Sequence, residues 1–155
     1  MPARRLDDHD LAILRLVQQD ATIPQREIAE RIALSAPAVQ RRIARMEREG
    51  VIAGTAAMVE PAAVGLPITV VVELTLSDDR SPTVAAAKAF FRAAPEVQQC
   101  YWVTGASGFV LILVAESLGA YEAISSRLFA DNEMVRSYRS MVVLDRVKVG
   151  AQLPI

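Results

Sequence analysis

The sequence predicts an α+β fold in two parts, a small helical part followed by helices packed on a sheet. Up to about residue 50, apolar residues recur at helical spacing. From Ile68 onward, apolar and polar residues alternate, which is the pattern of a half-buried strand. Between Pro61 and Pro67 neither pattern holds, as expected for a linker. We therefore expect domains at residues 1–60 and 68–155, joined by a linker at 61–67.

The first helix is predicted to begin after Asp7. Asp7 is a good N-cap, and Asp10 three residues later completes a short capping box. Leu11, Leu14 and Val17 then form one apolar stripe. We expect this helix to support the helices that follow, and we expect a linker strand near residues 56–59.

Two short amphipathic helices follow, separated by a tight break. The first lies within Pro24–Leu34, and the break precedes Ser35, whose hydroxyl can accept a bond from an unpaired amide of the next helix. Pro37 is tolerated in the first turn of that second helix, and Gly50 is a left-handed stop. Two such helices around a polar break are typical of a helix-turn-helix.

The second of these helices is rich in arginine. Val39, Ile43 and Met46 share its core face. Arg41, Arg45 and Arg48 fall on the opposite face, whereas Arg42 flanks the core stripe. A solvated surface helix is one interpretation, but the preceding helix, turn and cap favour binding in a DNA major groove. The candidate DNA-binding residues are Ser35, Pro37, Gln40, Arg41, Arg42, Arg45 and Arg48.

The overall charge is not that of a generic nucleic-acid binder. The chain has 17 Lys+Arg and 18 Asp+Glu, a formal net charge of −1. Residues 1–55 hold nine basic and eight acidic residues (+1), which leaves eight and ten (−2) for the remainder. Affinity for DNA must then come from the local arginine cluster, and a dimer would double that cluster.

The second part is predicted to have the order βαββαβ. The expected elements are strands at 68–76, 97–104, 109–115 and 135–149 and helices near 83–94 and 118–130, with a turn at 105–108. This order specifies a ferredoxin-like sandwich, in which both helices lie on one face of a four-stranded antiparallel sheet.

The other face of this sheet is predicted to be apolar. Phe109–Val114 is apolar on both sides, and either Tyr101 with Val103 or Cys100 with Trp102 points to the uncovered face. An exposed apolar sheet of this kind marks an interface. A two-fold dimer would cover it and present two helices to a palindromic DNA site, whereas an unusually apolar monomer is the alternative.

Neither a catalytic nor a metal site is predicted, and no cofactor is expected. His9 is the single histidine, and Cys100 has no second sulfur or neighbouring histidine for zinc ligation or a Cys/His pair. The turn at 105–108 is too short for a phosphate loop. The start of the chain lacks the apolar core of a signal peptide, and no segment approaches a membrane span, so a cytoplasmic location is expected.

Eight segments of the chain form recognisable motifs: LDDHDLAIL at 6–14, DATI at 20–23, EIAER at 27–31, LS at 34–35, RRIARME at 41–47, GVI at 50–52, VQQCYWVTG at 97–105 and SMVVLDRVK at 140–148. Together they closely resemble the Lrp/AsnC (leucine-responsive/asparagine regulator) family of transcription factors. The resemblance implies a winged helix-turn-helix followed by an effector-sensing domain. It implies a DNA-binding regulator whose assembly or DNA affinity responds to a small effector, typically an amino acid. An architectural, nucleoid-type DNA binder and a small-molecule enzyme on the sandwich fold are the alternatives.

The resemblance also implies an effector site at the turn after the second strand of the sandwich, between neighbouring dimers. The matching positions are Tyr101, Thr104, Gly105, Ala106, Ser107 and Gly108, with Ser140 from a nearby chain. The family usually carries an aspartate where this chain has Gly108, so ordinary amino acids are expected to bind weakly. It also usually carries glycine in the helix-turn-helix turn, where this chain has Ala33.

Overall fold

The computed structural model describes residues 5–105 and 108–155. The chain divides into two compact units, Met1–Ala57 with Lys148–Ile155 and Met58–Val147. These limits differ from the expected domains in two places. Lys148–Ile155 lies with the first unit, and the expected linker instead begins with a 3-10 helix, Pro61–Val64, that buries Pro61 in the second unit.

The first unit contains three helices, α1 (Asp8–Val17), α2 (Gln25–Arg31) and α3 (Ala36–Arg48). Their core is formed by Ile13, Ile28, Ala29, Val39 and Met46. The predicted starts of α1 and α3 are confirmed: Asp7 forms a capping box with Asp10, and the Ser35 hydroxyl accepts the Ala38 N–H at 3.3 Å. The expected linker strand is absent, since residues 53–60 are exposed and, in the part of the chain that is described, form no ladder.

Helices α2 and α3 end in the same way but with different residues. Ala33 follows α2 at φ 54° and Gly50 follows α3 at φ 74°. In each case a backbone N–H two residues past the helix cap closes the last turn, Leu34 to Ala29 O at 3.0 Å and Val51 to Met46 O at 2.8 Å. Ala33 therefore takes the place of the expected glycine, and the turn keeps the same hydrogen bond and left-handed backbone. The left-handed conformation costs about 1–2 kcal/mol at Ala33, because its Cβ crowds the backbone.

The C-terminal segment is fixed to the end of α1 by side chain to backbone hydrogen bonds. The Gln18 amide donates to Leu153 O at 3.0 Å and accepts the Leu153 N–H at 2.9 Å. The Arg15 Nε donates to Ile155 O at 2.7 Å. These bonds explain why residues 148–155 belong to the first unit.

The second unit has the predicted order βαββαβ. Its elements are β1 (Ile68–Leu76), α4 (Ser81–Ala93), β2 (Val97–Trp102), β3 (Phe109–Ala115), α5 (Leu118–Ser125) and β4 (Val135–Val142), with a π-helical turn at Ser126–Ala130. The sheet is antiparallel in the order β2-β3-β1-β4. Near the two ends of this unit, Arg146 and Glu60 form an ion pair at 2.9 Å.

The two faces of the sheet differ in burial. Alternate residues of β1 and β3, such as Val72 and Leu111, are fully buried and pack with Phe91 of α4 and Phe129. Within residues 58–105 and 108–147, both helices contribute to this same core, and the opposite face carries half-buried apolar residues such as Ile112. The structure settles which residues of β2 point there: Tyr101 pairs with Val110 on the open face, whereas Cys100 and Trp102 lie on the helix side.

Among the described residues, no helix combines the length and the apolar character needed to cross a lipid bilayer.

Candidate functional site

The outer face of α3 carries five of the seven residues predicted to contact DNA. They are Ser35, Pro37, Gln40, Arg41 and Arg48, all exposed. In the described part of the chain, neither Arg41 nor Arg48 forms a salt bridge. Their guanidinium groups therefore face solvent with their hydrogen-bond donors free for an anion, as a phosphate or base contact requires.

Arg42 and Arg45, which were also predicted to contact DNA, are held by acidic residues instead. The helical wheel put Arg45 opposite the core, but its Nη2 lies 2.6 Å from Asp10 Oδ2 and its side chain is 17% exposed. Arg42 Nη1 lies 2.7 Å from Asp10 Oδ1 and 2.8 Å from Asp7 Oδ2. Both side chains bend back from α3 towards the start of α1, where they pair with the buried carboxylate of Asp10 and, for Arg42, also with the exposed carboxylate of Asp7.

Asp10 is the centre of this ion cluster, and the sequence identified it only as a capping residue. Its side chain is 1% exposed. It accepts the Asp7 N–H as well as pairing with two arginines, which compensates for its burial. Burial raises the pKa of Asp10, but the guanidinium groups of Arg45 and Arg42 outweigh it and lower that pKa to about 2. Asp10 therefore stays charged.

The predicted effector turn connects β2 and β3. The Val103 N–H donates to Gly108 O at 3.0 Å, which closes the hairpin, and the Gly108 N–H donates to Leu74 O at 2.9 Å. Positive φ in this turn is found at Gly105, at 113°. Thr104 and Gly105 are exposed, whereas Ala106 and Ser107 lie outside the described residues.

Gly108 stands where the family usually has an aspartate, and its surroundings leave room for a side chain. A Cβ at this position would lie 3.6 Å from Leu74 O and 3.9 Å from Leu76 N, both ordinary contacts. Crowding therefore does not require a glycine at position 108, and the structure can accommodate Gly108→Asp as a test.

Ser140 and Tyr101 do not join the turn within one chain. Ser140 lies on β4, the opposite edge strand from β2, and its hydroxyl is hydrogen-bonded to the Tyr121 hydroxyl on the helix side. Tyr101 is exposed on the open face and donates to Gln99 Oε1 at 2.7 Å. A site that used Ser140 with the turn would need a second chain, as the sequence expectation already required.

Trp102 lies close to the turn and is partly exposed. Lys88 Nζ of α4 is 3.8 Å from the centre of its ring, a cation–π contact. The two side chains line an open groove of about 430 Å³ together with Arg92 and Cys100, whose thiol pKa is raised by burial. Because Trp102 is the single tryptophan of the chain, tryptophan fluorescence reports on the neighbourhood of the turn. In the described ranges, no cluster of three or more potential metal ligands is found.

Two family models match the chain. Residues 6–53 match a winged helix-turn-helix DNA-binding domain, and residues 69–153 match the Lrp/AsnC ligand binding domain. An uncharacterized HTH-type transcriptional regulator of Sinorhizobium fredii is 37% identical over 153 residues, covering 99% of this chain and 90% of that protein.

Solved structures agree over the full length. An AsnC family transcriptional regulator from Agrobacterium tumefaciens has a TM-score of 0.89 and 29% identity, covering 96% of this chain and 97% of that one. The transcriptional regulator NMB0573 of Neisseria meningitidis, solved as a complex with L-Met, has a TM-score of 0.88 and 26% identity, covering 97% of both chains.

Proposed function

The chain belongs to the Lrp/AsnC family of transcriptional regulators, and on that premise we propose that it binds DNA through the outer face of α3. The protein is a DNA-binding transcriptional regulator with a ligand-binding domain, and it is not an enzyme. The residues that we assign to the DNA contact are Ser35, Pro37, Gln40, Arg41 and Arg48. Arg42 and Arg45 are left out because Asp7 and Asp10 hold them.

The observation that supports this assignment is the pair of free guanidinium groups on the outer face of a capped helix. Arg41 and Arg48 are seven residues apart and so share one side of α3. An arginine that binds a guanine in the major groove discriminates against other bases by about 1–3 kcal/mol. One that binds phosphate adds affinity for every sequence.

The test is DNA binding by Arg41→Ala and Arg48→Ala, measured by fluorescence anisotropy on a duplex that the unmodified protein selects from a random library. We expect each base-contacting arginine to cost about 1–3 kcal/mol on that duplex. A phosphate-contacting arginine would weaken all duplexes alike and lower the slope of log affinity against log salt by about 0.9. Arg80→Ala removes an exposed arginine of the second unit, which pairs with Asp78, and is the control for loss of one positive charge. Unchanged affinity in both α3 variants would refute the assignment.

We also propose that the open sheet face joins two copies of the chain. Across its middle, Ile112 pairs with Val71, which pairs with Met141, so three apolar side chains adjoin without a helix above them. Ile112→Asp should then leave a 16.8 kDa monomer in light scattering, whereas Leu118→Asp on the exposed side of α5 should not. A native chain that stays monomeric at micromolar concentration would contradict the interface. A two-fold dimer of this kind would favour palindromic DNA.

A small effector is proposed to bind at the turn between β2 and β3. The Neisseria relative binds L-Met, which makes methionine a suitable probe for this chain. Because Gly108 lacks the usual carboxylate, we expect weak binding by the native protein and about 10- to 150-fold tighter binding by Gly108→Asp, since a charge-assisted hydrogen bond contributes about 1.5–3 kcal/mol. Calorimetry and Trp102 fluorescence measure both. Micromolar binding by the native chain that Gly108→Asp leaves unchanged would show that the ammonium is held elsewhere.

A further inference from the structure

We propose that Asp10 limits the affinity of the protein for DNA: it withholds Arg45, and with Asp7 it withholds Arg42, from DNA and so weakens sequence-independent binding. This inference rests on the proposed DNA face of α3. Helix α3 carries four arginines, and the ion cluster divides them into two free and two held side chains. The division is made by acidic residues of a neighbouring helix that do not themselves need to touch DNA.

Arg45 is placed to reach DNA if it is released. At 100° per residue, its Cα lies about 40° from that of Arg41 and about 60° from that of Arg48 around the axis of α3. Its backbone is therefore on the outer side of the helix, and only its side chain is folded back. Rotation about the side-chain bonds is enough to turn the guanidinium from Asp10 to a phosphate.

The charge of Asp10 is what holds Arg45. Arg45 Nη2 is buried against Asp10 Oδ2 and, among the described residues, makes no well-aligned hydrogen bond. A neutral side chain at position 10 would remove the attraction without leaving a geometric constraint in its place. Arg42 is held more firmly, because both oxygens of Asp7 also accept from it.

Withholding an arginine lowers the affinity for all DNA, because each phosphate contact strengthens binding to every sequence equally. One contact steepens the dependence of log affinity on log salt by about 0.9 and, at 0.1 M salt, tightens sequence-independent binding roughly five- to tenfold. The held arginines therefore keep the protein from binding tightly to the many non-specific sites, while the ratio of specific to non-specific affinity is still set by base readout.

The experiment compares full-length variants on a random-sequence duplex and on the selected duplex over a range of salt concentrations. Asp10→Asn should tighten binding to the random duplex about five- to tenfold and steepen its salt slope by about 0.9, with a similar gain on the selected duplex. Asp8→Asn removes the same charge from the same helix turn without contacting an arginine, and it is the matched control. The double variant Asp10→Asn with Arg45→Gln should lose the gain. An equal gain in Asp8→Asn, or a gain that survives in the double variant, would overturn the proposal.

Thermal melting checks that the Asp10 variant folds. A second experiment avoids this variant altogether. In the otherwise native chain, Arg45→Gln should leave the salt slope unchanged, whereas Arg41→Gln should lower it by about 0.9. Equal losses in the two variants would show that Arg45 binds DNA in the native protein and would overturn this inference while leaving the DNA face in place. Unchanged affinity as well as an unchanged slope in Arg41→Gln, Arg45→Gln and Arg48→Gln would instead refute the DNA face.

Discussion

The first unit and the second unit are stabilised by different kinds of buried side chain. All aromatic residues of the chain, four Phe, three Tyr and one Trp, lie between Phe90 and Tyr138 in the second unit. The core of the first unit is aliphatic and small, and a buried carboxylate with two arginines lies beside it. A small unit with limited apolar area therefore depends on charge and helix caps, whereas the larger unit depends on packing.

The difference gives each unit its own response to mutation and pH. It also gives each its own probe, since Trp102 fluorescence reports on the second unit, and the amides of α1 and α3 report on the first unit by hydrogen exchange. The four experiments below are ordered from the largest expected effect to the smallest.

The largest effect is expected from the aromatic core of the second unit. Phe91 is fully buried between Phe109 and Phe129, with ring centres 5.6 and 6.1 Å away. Phe91→Ala should destabilise this unit by about 3–5 kcal/mol, because it removes apolar contacts and leaves a cavity. The measurement is denaturant unfolding followed by Trp102 fluorescence. Phe90→Ala, at a neighbouring residue that is 36% exposed, should cost much less, and equal losses would contradict the assigned core.

Acid should weaken the first unit through Asp10. Its pKa of about 2 in the folded protein lies below the usual 3.8, so its charge stabilises the fold above pH 4 and this contribution is lost as pH falls towards 2. The loss should amount to roughly 2 kcal/mol. About half of this loss falls between pH 5 and 3, where hydrogen exchange of α1 and α3 measures it, and Asp10→Asn should flatten the dependence. A slope that Asp10→Asn leaves intact would assign the acid response to other carboxylates.

The contacts of the C-terminal segment should make a smaller contribution to the first unit. Gln18→Ala removes two hydrogen bonds to the backbone of Leu153, which together stabilise by about 1 kcal/mol because they are exposed. Hydrogen exchange at the end of α1 should increase, with Trp102 unfolding unchanged. Gln19→Ala is a neighbouring control without these bonds.

The smallest expected effect is a gain in stability. Ala33→Gly relieves the left-handed strain after α2, about 1–2 kcal/mol, but adds backbone freedom to the unfolded chain, about 0.5–1 kcal/mol. The first unit should therefore be stabilised by about 0.5 kcal/mol. Gly50→Ala makes the reverse change after α3 and should destabilise. A loss in Ala33→Gly would show that the turn is not strained.

Much of the fold was predictable because it depends on local patterns. The capping box at Asp7, the cap at Ser35 and the alternation of β1 each act over a few residues, and all three are confirmed. The fold-back of Lys148–Ile155 was not predictable, because exposed polar contacts between distant residues leave no periodic signal. The end of β4 at Val142 was also not predicted.

The candidate sites divide in a similar way. A helical wheel gives the direction of the Cα–Cβ bond, and this identified Arg41 and Arg48 correctly as exposed. It does not give the direction of a long side chain, so Arg45 was placed on the outer face although its guanidinium lies on Asp10. The acidic residues at the start of α1 were a signal for this partner, because Asp10 can accept from an arginine as well as cap the helix.

The C-terminal segment also determines the order in which the molecule can be completed. Gln18 and Leu153 are 135 positions apart, so their contact closes a very long loop at a high entropic cost. The ion pair between Glu60 and Arg146 shortens that loop once the second unit has folded, because it brings the two ends of the intervening segment together. Helices α1, α2 and α3 are synthesised first, but their unit is complete only when the C-terminal segment, which is synthesised last, has bound to α1. Slow folding of the sandwich would delay the closure of the DNA-binding unit even though α1, α2 and α3 form from local contacts.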